Sequence, residues 1–190
     1  MSISAVSVFC ASSPGNDPRF GEMADALGQH LAEASITLVF GGSDAGLMGR
    51  VSNAVMSAGG EVVGVYPEAT FSRDVAHPNL SELHLVGSMH ERKALMYERS
   101  DAVIALPGGY GTLEELFEAL TWTQLGLHAH PAVLLDVGGF WDHFERFLDS
   151  CVEAGVLRQG NRNLLGRAHS PAEAIDTLRT IDTEYEAKWH

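Results

Sequence analysis

The stretch LPGGYGTLEE, residues 106–115, decides both the fold class and the candidate site of this 190-residue chain. An apolar stretch precedes it at residues 102–105, and an amphipathic stretch follows it at residues 113–125. We therefore predict a buried strand that enters a glycine turn, and a helix that begins at this turn. Unpaired N–H groups and the positive end of the helix dipole would then point at one place, which suits a phosphate.

The rest of the chain alternates stretches of strand character with stretches of helical period. Strands are expected at 5–11, 37–40, 61–66, 82–86, 102–106 and 131–136, helices at 18–34, 47–58, 89–99, 112–125, 140–154 and 171–185, and an irregular loop at 70–78. Such alternation is typical of α/β proteins, in which right-handed crossovers place helices on both faces of a parallel sheet. We therefore predict a single domain, residues 1–190, built on a doubly wound parallel sheet.

Three loops of small residues follow predicted strands, at 11–15, 41–46 and 107–111. Ligands of such sheets bind beyond the carboxyl ends of the strands, so three such loops at one edge indicate a small-molecule site. The first strand is not followed by G-x-G-x-x-G, which argues against a dinucleotide site. The pattern G-x-x-x-x-G-K-[ST] does not occur, which argues against a P-loop nucleotidase.

Composition and charge exclude several classes of partner. The formal net charge is −13, so a nucleic-acid polymer would be repelled. No apolar run is long enough to span a bilayer, and no basic residue precedes the apolar part of the N-terminus, as it would in a secretory signal. The two cysteines, Cys10 and Cys151, lie far apart, which favours a cytoplasmic location, and Cys10 is expected to be buried and inert. No metal is expected, because no cluster of histidine, cysteine and carboxylate residues has ligand spacing.

Thr112 and Glu115 have the spacing of a capping box, which would place Thr112 at the start of a helix and Glu115 in its first turn. A cap needs no glycine-rich approach, whereas a ligand pressed against the backbone does. Glu115 is therefore the acid that we expect to face the glycine turn. Glu114 and Glu118 fall off the apolar face of the same helix, and their helical positions predict a surface role.

A second cluster, SMHERK at residues 88–93, contains another possible capping box, formed by Ser88 and Glu91. Arg92 and Lys93 would lie in the first turns of the helix, where positive charge opposes the helix dipole. Either a bound anion or salt bridges to neighbouring acids would resolve this conflict.

Four motifs, in this order, resemble the Lonely Guy (LOG) family, the cytokinin riboside 5′-monophosphate phosphoribohydrolases. They are GLMG at 46–49, MHERK at 89–93, PGGYGTLEE at 107–115 and TWTQLG at 121–126. The resemblance implies an enzyme with a Rossmann-like fold that hydrolyses the N-glycosidic bond of an adenosine-type (cytokinin riboside) 5′-monophosphate to free base and ribose 5-phosphate. It also implies a homodimer with its site near the subunit contact, and neither a metal nor an organic cofactor.

The resemblance also assigns site residues. Arg92 and Glu115 match the catalytic pair of the family. The substrate-binding positions that we infer are Ser13, Gly42, Asp74, Lys93, Gly108, Gly109, Tyr110, Gly111, Thr112, Leu113, Glu114 and Thr121. Members of the family are often labelled lysine decarboxylases, but a pyridoxal phosphate enzyme needs a lysine for its Schiff base. The chain contains only Lys93 and Lys188, and Lys93 already belongs to the basic motif.

Two classes of function stay open at this point. In a hydrolase, the Glu115 carboxylate would stabilise positive charge on the sugar and orient water, while Arg92 would hold the substrate. In the alternative, a non-catalytic nucleotide-binding or carrier protein would use the same fold and the same phosphate cradle. A pure binder would gain little from a carboxylate beside a phosphate, because the two groups repel, so Glu115 favours the hydrolase.

Overall fold

The computed structural model describes residues 2–68 and 76–184, and a parallel sheet forms its centre. The strands are β1 Ala5–Phe9, β2 Thr37–Phe40, β3 Val62–Pro67, β4 Glu82–Val86, β5 Ala102–Ala105, β6 Ala132–Leu135 and β7 Leu165–Ala168. Their order across the sheet is β4-β3-β2-β1-β5-β6-β7, and each neighbouring pair is parallel.

Helices cover both faces of this sheet. They are α1 Pro18–Glu33, α2 Gly46–Ser57, α3 Met89–Glu98, α4 Tyr110–Gln124, α5 Asp142–Glu153, α6 Gln159–Arg162 and α7 Pro171–Thr180. Leu27 of α1 and Ile175 of α7 belong to the core cluster on one face, whereas Met96, Leu116 and Leu148 belong to the cluster on the other. Burial of each such side chain contributes about 1.5–3 kcal/mol. The predicted doubly wound parallel sheet is therefore confirmed, and none of the helices described is long and apolar enough to cross a membrane.

The topology brings the three predicted loops together. The chain runs outward from β1 to β4 and then returns to place β5 on the other side of β1, so the order of the strands reverses between β1 and β5. At this point Ala11 N donates to Pro107 O at 3.2 Å, and Leu47 N donates to Ala11 O at 3.1 Å. The ends of β1, β2 and β5 therefore form one connected surface, as the sequence predicted.

Helix α4 begins two residues earlier than the sequence predicted. Gly109 is its N-cap residue and no side chain caps it, so Thr112 and Glu115 do not form the expected capping box. Glu115 lies in the second turn of the helix and not in the first, because the glycine turn lets the helix start at Tyr110. The other box is confirmed in its cap: Ser88 Oγ accepts from Glu91 N at 3.2 Å. The Glu91 carboxylate, however, accepts from Gly87 N at 2.8 Å, one residue before the N-cap.

Two further elements, α6 and β7, were not predicted. Strand β7 lies at the edge of the sheet, and its two central residues, Gly166 and Arg167, are only half-buried. A glycine and an arginine interrupt the apolar pattern, so the segment lacks the usual signal of a buried strand. One helix ends well before its predicted end, and most of one predicted loop lies outside the described residues. Helix α7 ends at Thr180 and not at residue 185, and only residues 76–78 of the loop expected at 70–78 fall within the described ranges.

Candidate active site

Arg92 of α3 and Glu115 of α4 form a buried ion pair. Arg92 Nη1 lies 3.1 Å from Glu115 Oε1, and the two residues are only 8% and 7% exposed. Arg92 Nε also donates to the carbonyl of Val65 on β3 at 3.2 Å. The guanidinium group is thus fixed by a carboxylate on one side and by the backbone of the sheet on another, which gives it one defined position.

Gly41, at the end of β2, gives this guanidinium group its place. A Cβ atom at position 41 would overlap Arg92 Nη2, so only glycine lets Arg92 lie directly on the backbone there. Sequence reasoning did not identify this contact, because a glycine pair after a strand does not reveal which helix packs over it.

The environment of Glu115 is that of a functional carboxyl group. Burial raises the pKa of Glu115 above its ordinary value, and the Arg92 guanidinium opposes this shift. Tyr97 Oη donates to the Glu115 backbone carbonyl at 3.0 Å and ties α3 to α4 at this residue. A carboxyl group with a raised pKa and one close cationic partner is typical of catalytic sites. Cys10 is buried as predicted, and burial raises the pKa of its thiol.

The glycine turn leaves the start of α4 open to an anion. Leu113 N donates to Gly109 O at 3.0 Å, so the N–H groups of residues 110–112 precede the first bond within the helix. A Cβ atom at Gly108 would overlap the Thr112 side chain, which shows that Thr112 packs onto the turn. Gly109 and Gly111, in contrast, have no atom within 4 Å of an added Cβ. Uncapped amides beside open space favour the predicted phosphate cradle.

The number of residues between the glycine turn and Glu115 gives the distance along α4 from the phosphate cradle to the ion pair. Glu115 follows Tyr110 by five residues, which is about 7.5 Å along the helix axis. A molecule whose phosphate docks on the turn would therefore have to extend back by roughly this length to bring its reacting bond to the carboxylate.

Lys93 is buried between two carboxylates of α4. Its Nζ contacts Glu114 and lies 2.7 Å from Glu118 Oε2, and its side chain is only 4% exposed. The two carboxylates outweigh the effect of burial, so the pKa of Lys93 is raised. Glu114 is exposed, as predicted, and also pairs with Lys93, whereas Glu118 is half-buried, so the plain surface role expected for Glu118 is wrong. The helical positions of these glutamates gave no sign that α3 presents a buried ammonium group to them. Salt bridges to neighbouring acids pair with both cations of the MHERK motif.

Four further predicted residues lie in the loops after β1 and β2 and at the start of α4. Ser13 is exposed in the loop after β1, and its Oγ accepts from Gly15 N at 3.1 Å. Gly42 is buried with φ of +75°, in the left-handed region that favours glycine. Tyr110 is 94% exposed, and Leu113 is half-buried beside it.

Thr121, another predicted residue, lies far along α4 from the turn. Thr121 is exposed on α4, ten residues beyond Gly111, which is about 15 Å along the helix axis. The structure therefore does not bring Thr121 to the glycine turn of its own chain. Asp74 lies outside the described residues.

No group of three histidine, cysteine or carboxylate residues could hold a metal ion within residues 2–68 and 76–184. His128 and His130 stack with ring centroids 4.2 Å apart, and burial lowers the pKa of His128 to about 4. These two imidazoles therefore behave as a neutral packed pair near pH 7.

Known proteins match this chain along most of its length. The family model described as "Possible lysine decarboxylase" matches residues 48–178. The cytokinin riboside 5′-monophosphate phosphoribohydrolase LOG of Oryza sativa subsp. japonica is 44% identical over 181 residues, which are 95% of this chain and 75% of that protein. The cytokinin riboside 5′-monophosphate phosphoribohydrolase of Rhodococcoides fascians is 44% identical over 177 residues, which are 93% of this chain and 89% of that protein.

A solved structure extends the comparison to the fold. The molybdenum cofactor carrier protein from Chlamydomonas reinhardtii superposes with a TM-score of 0.70 at 23% identity, covering 95% of this chain and 98% of that chain. At this identity the likeness concerns the fold alone.

Proposed function

The chain belongs to the LOG family of cytokinin riboside 5′-monophosphate phosphoribohydrolases, and we propose from this premise that it hydrolyses the N-glycosidic bond of adenosine-type 5′-monophosphates. The products are a free base and ribose 5-phosphate. The observation that carries the proposal is the buried Arg92–Glu115 ion pair, whose carboxylate lies on α4, the helix that begins at the glycine turn. A carrier protein needs the turn but has no use for this carboxylate.

The label of lysine decarboxylase fits the site poorly. A pyridoxal phosphate enzyme needs a lysine amine that is free to form a Schiff base. Lys93 is buried and bound to two carboxylates, and Lys188, the other lysine of the sequence, lies outside the described residues. The site therefore supports hydrolysis rather than decarboxylation.

We place the 5′-phosphate on the amides of residues 110–112. These N–H groups have no partner within the helix, and the helix dipole adds positive potential at the same place. With the phosphate anchored, the ribose is held in one orientation, so the energy of binding is converted into correct placement of the reacting bond. No metal and no organic cofactor is required for this step.

Glu115 and Arg92 then act on the sugar. As the C1′–N bond breaks, its electron pair leaves with the base, and positive charge develops on C1′ and the ring oxygen. The Glu115 carboxylate stabilises this charge and accepts a proton from the water whose oxygen bonds to C1′. Glu115 then passes this proton, through solvent water, to the nitrogen of the departed base, which leaves the carboxylate ionised again. The Arg92 guanidinium helps to keep the buried Glu115 ionised and holds the substrate.

We propose that two copies of the chain assemble around α4, as a cytoplasmic homodimer. Large hydrophobic side chains on or just after this helix are exposed, among them Tyr110, Phe117 at 40% and Leu125 at 49%. A second copy over this surface would bury them and could bring Thr121 to the glycine turn of the neighbouring chain. Cys10 and Cys151 are both free, which is consistent with a reducing compartment.

A panel of nucleotides tests the proposed reaction. The purified protein is incubated with several nucleoside 5′-monophosphates, including a cytokinin riboside monophosphate, and with the matching nucleosides, and free base is measured by chromatography. We expect base release from the phosphorylated forms only. Binding without base release would support the carrier instead, and equal cleavage of nucleosides would contradict the role of the phosphate.

Replacing Gly111 with alanine tests the phosphate cradle separately. The added Cβ atom meets no protein atom within 4 Å, and alanine favours helix over glycine, so stability should be unchanged or higher by up to about 1 kcal/mol. The methyl group would instead occupy space that the phosphate needs, and KM should rise by roughly tenfold or more, equivalent to about 1.4 kcal/mol of binding. Steady-state kinetics and thermal melting measure the two effects. An unchanged KM in the stable variant would show that the phosphate does not bind at this turn.

A further inference from the structure

A polar network centred on one buried histidine, His77, holds the second of the three site loops, residues 41–46. His77 is 3% exposed, and its Nε2 lies 3.2 Å from Asn53 Oδ1 on α2 and 3.5 Å from Asp44 Oδ1 in the loop. Asn53 Nδ2 donates to the same Asp44 oxygen at 3.1 Å. The three side chains therefore link the loop, helix α2 and the segment before β4.

The hydrogen bonds fix which nitrogen of His77 carries the proton. Asn79 N donates to His77 Nδ1 at 3.3 Å, so Nδ1 is an acceptor and, in the neutral ring, Nε2 carries the hydrogen. Nε2 then donates to Asn53 Oδ1, which turns the Asn53 amide nitrogen toward Asp44. Each group has a partner of complementary type, so the hydrogen bonds favour one arrangement around the buried imidazole.

The same residue also holds the backbone of the loop. His77 N donates to Gly42 O at 2.8 Å, and Ser43 pairs with Ala76 in an antiparallel bridge. Gly42 directly follows Gly41, the residue on which the Arg92 guanidinium lies. A shift of residues 42–44 would therefore move the surface that supports Arg92.

We propose that His77 is a positioning residue of the active site: its Nε2–H holds the loop 41–46 against α2, and the loop in turn keeps Arg92 against Glu115. The inference rests on the proposed function for its catalytic consequence, but the positioning itself is a property of the folded chain. His77 stands in no recognisable sequence motif, because its partners come from positions 24 and 33 residues earlier in the chain.

Two conservative variants distinguish the contacts that the two ring nitrogens of His77 make. In His77→Gln, the side-chain amide nitrogen can reach the place of Nε2 and donate to Asn53. In His77→Asn, the side-chain oxygen can replace Nδ1 as the acceptor for Asn79, but nothing reaches Asn53 or Asp44. Both variants remove the imidazole, so a difference between them reports the Nε2 contact and not the loss of the ring.

Amide hydrogen exchange and kinetics give the two measurements. In His77→Asn we expect faster exchange in peptides that cover residues 41–49, and a fall in kcat of about 10- to 100-fold, since a misplacement of about 1 Å can cost 10²-fold. KM should change less, because the amides of residues 110–112 are untouched. In His77→Gln, exchange and kcat should stay within about threefold of the parent, a loss below 1 kcal/mol.

His143→Asn, at an exposed position of α5, is the matched control and should leave both measurements unchanged. The proposal is overturned if exchange at 41–49 is the same in the parent and in both His77 variants, or if both variants are impaired equally. If the parent releases no base from any nucleotide, the proposed reaction fails, and the exchange data alone still decide whether His77 holds the loop.

Discussion

Replacing Glu115 with glutamine is expected to lower the kcat for base release from adenosine 5′-monophosphate by about 10³-fold while the fold survives. Glutamine has nearly the same shape and can still accept a hydrogen bond from Arg92 Nη1, so the contact between α3 and α4 is retained. It cannot carry the negative charge that stabilises the sugar cation, nor take a proton from water. Chromatographic assay of free base and a thermal melt measure activity and folding.

The control for this substitution is Glu98→Gln, an exposed glutamate at the end of α3 that should leave turnover unchanged. Turnover by Glu115→Gln equal to that of the parent would show that this carboxylate has no chemical role.

The pH dependence of the parent protein provides a second signature of Glu115. Burial raises the pKa of this carboxyl group, so the loss of activity at low pH should begin at a higher pH than an ordinary glutamate would give. The folded state also binds this proton more tightly than the unfolded state. Protonation of Glu115 therefore stabilises the folded state fully below the ordinary carboxyl pKa, and this stabilisation is lost as pH rises through the raised pKa of the folded state. Glu115→Gln should lack this change in stability.

Replacing Arg92 with alanine is expected to lower kcat by about 10³-fold and to destabilise the protein as well. Removal of one partner of a buried ion pair costs about 3–5 kcal/mol when the other charge stays ionised. Arg92 lowers the pKa of Glu115, so its loss should raise that pKa further, and protonation of Glu115 would reduce this cost. In this variant, residual activity should therefore increase with pH and the free energy of unfolding should decrease with pH. Both changes should occur over a higher pH range than in the parent.

Arg92→Lys provides the matched comparison. Lysine keeps the positive charge but lacks the planar fork that reaches Glu115 and the Val65 carbonyl together. We expect it to recover part of the stability and little of the activity. Full activity in Arg92→Ala, with only a lower melting temperature, would show that the pair is purely structural.

The fold could be predicted from the sequence because its signals are local. Apolar stretches such as residues 102–105 and the helical period of residues 113–125 do not depend on distant contacts, and the glycine turn between them marks the carboxyl edge of the sheet. The alternation of strands and helices then leaves few topologies. Strand β7 escaped prediction because Arg167 is stabilised in it by ion pairs with Asp136, Asp142 and Glu145, which come from other parts of the chain.

The candidate site was predictable in its motifs but not in its contacts. Arg92 and Glu115 stand in recognisable motifs, and the structure brings them together across 23 positions of sequence. The pairing of Lys93 with Glu114 and Glu118, and the contact of Arg92 with Gly41, depend on how α3 packs against its neighbours. No local pattern specifies that packing.

The central claim is that a 5′-phosphate docks on the amides of residues 110–112 and presents C1′ to Glu115. A crystal structure of the Glu115→Gln variant soaked with adenosine 5′-monophosphate tests it most directly. We predict phosphate oxygens within hydrogen-bond distance of these amides, and C1′ facing the side chain at position 115. A nucleotide bound elsewhere with the turn empty, or a C1′ atom turned away from position 115, would contradict the account.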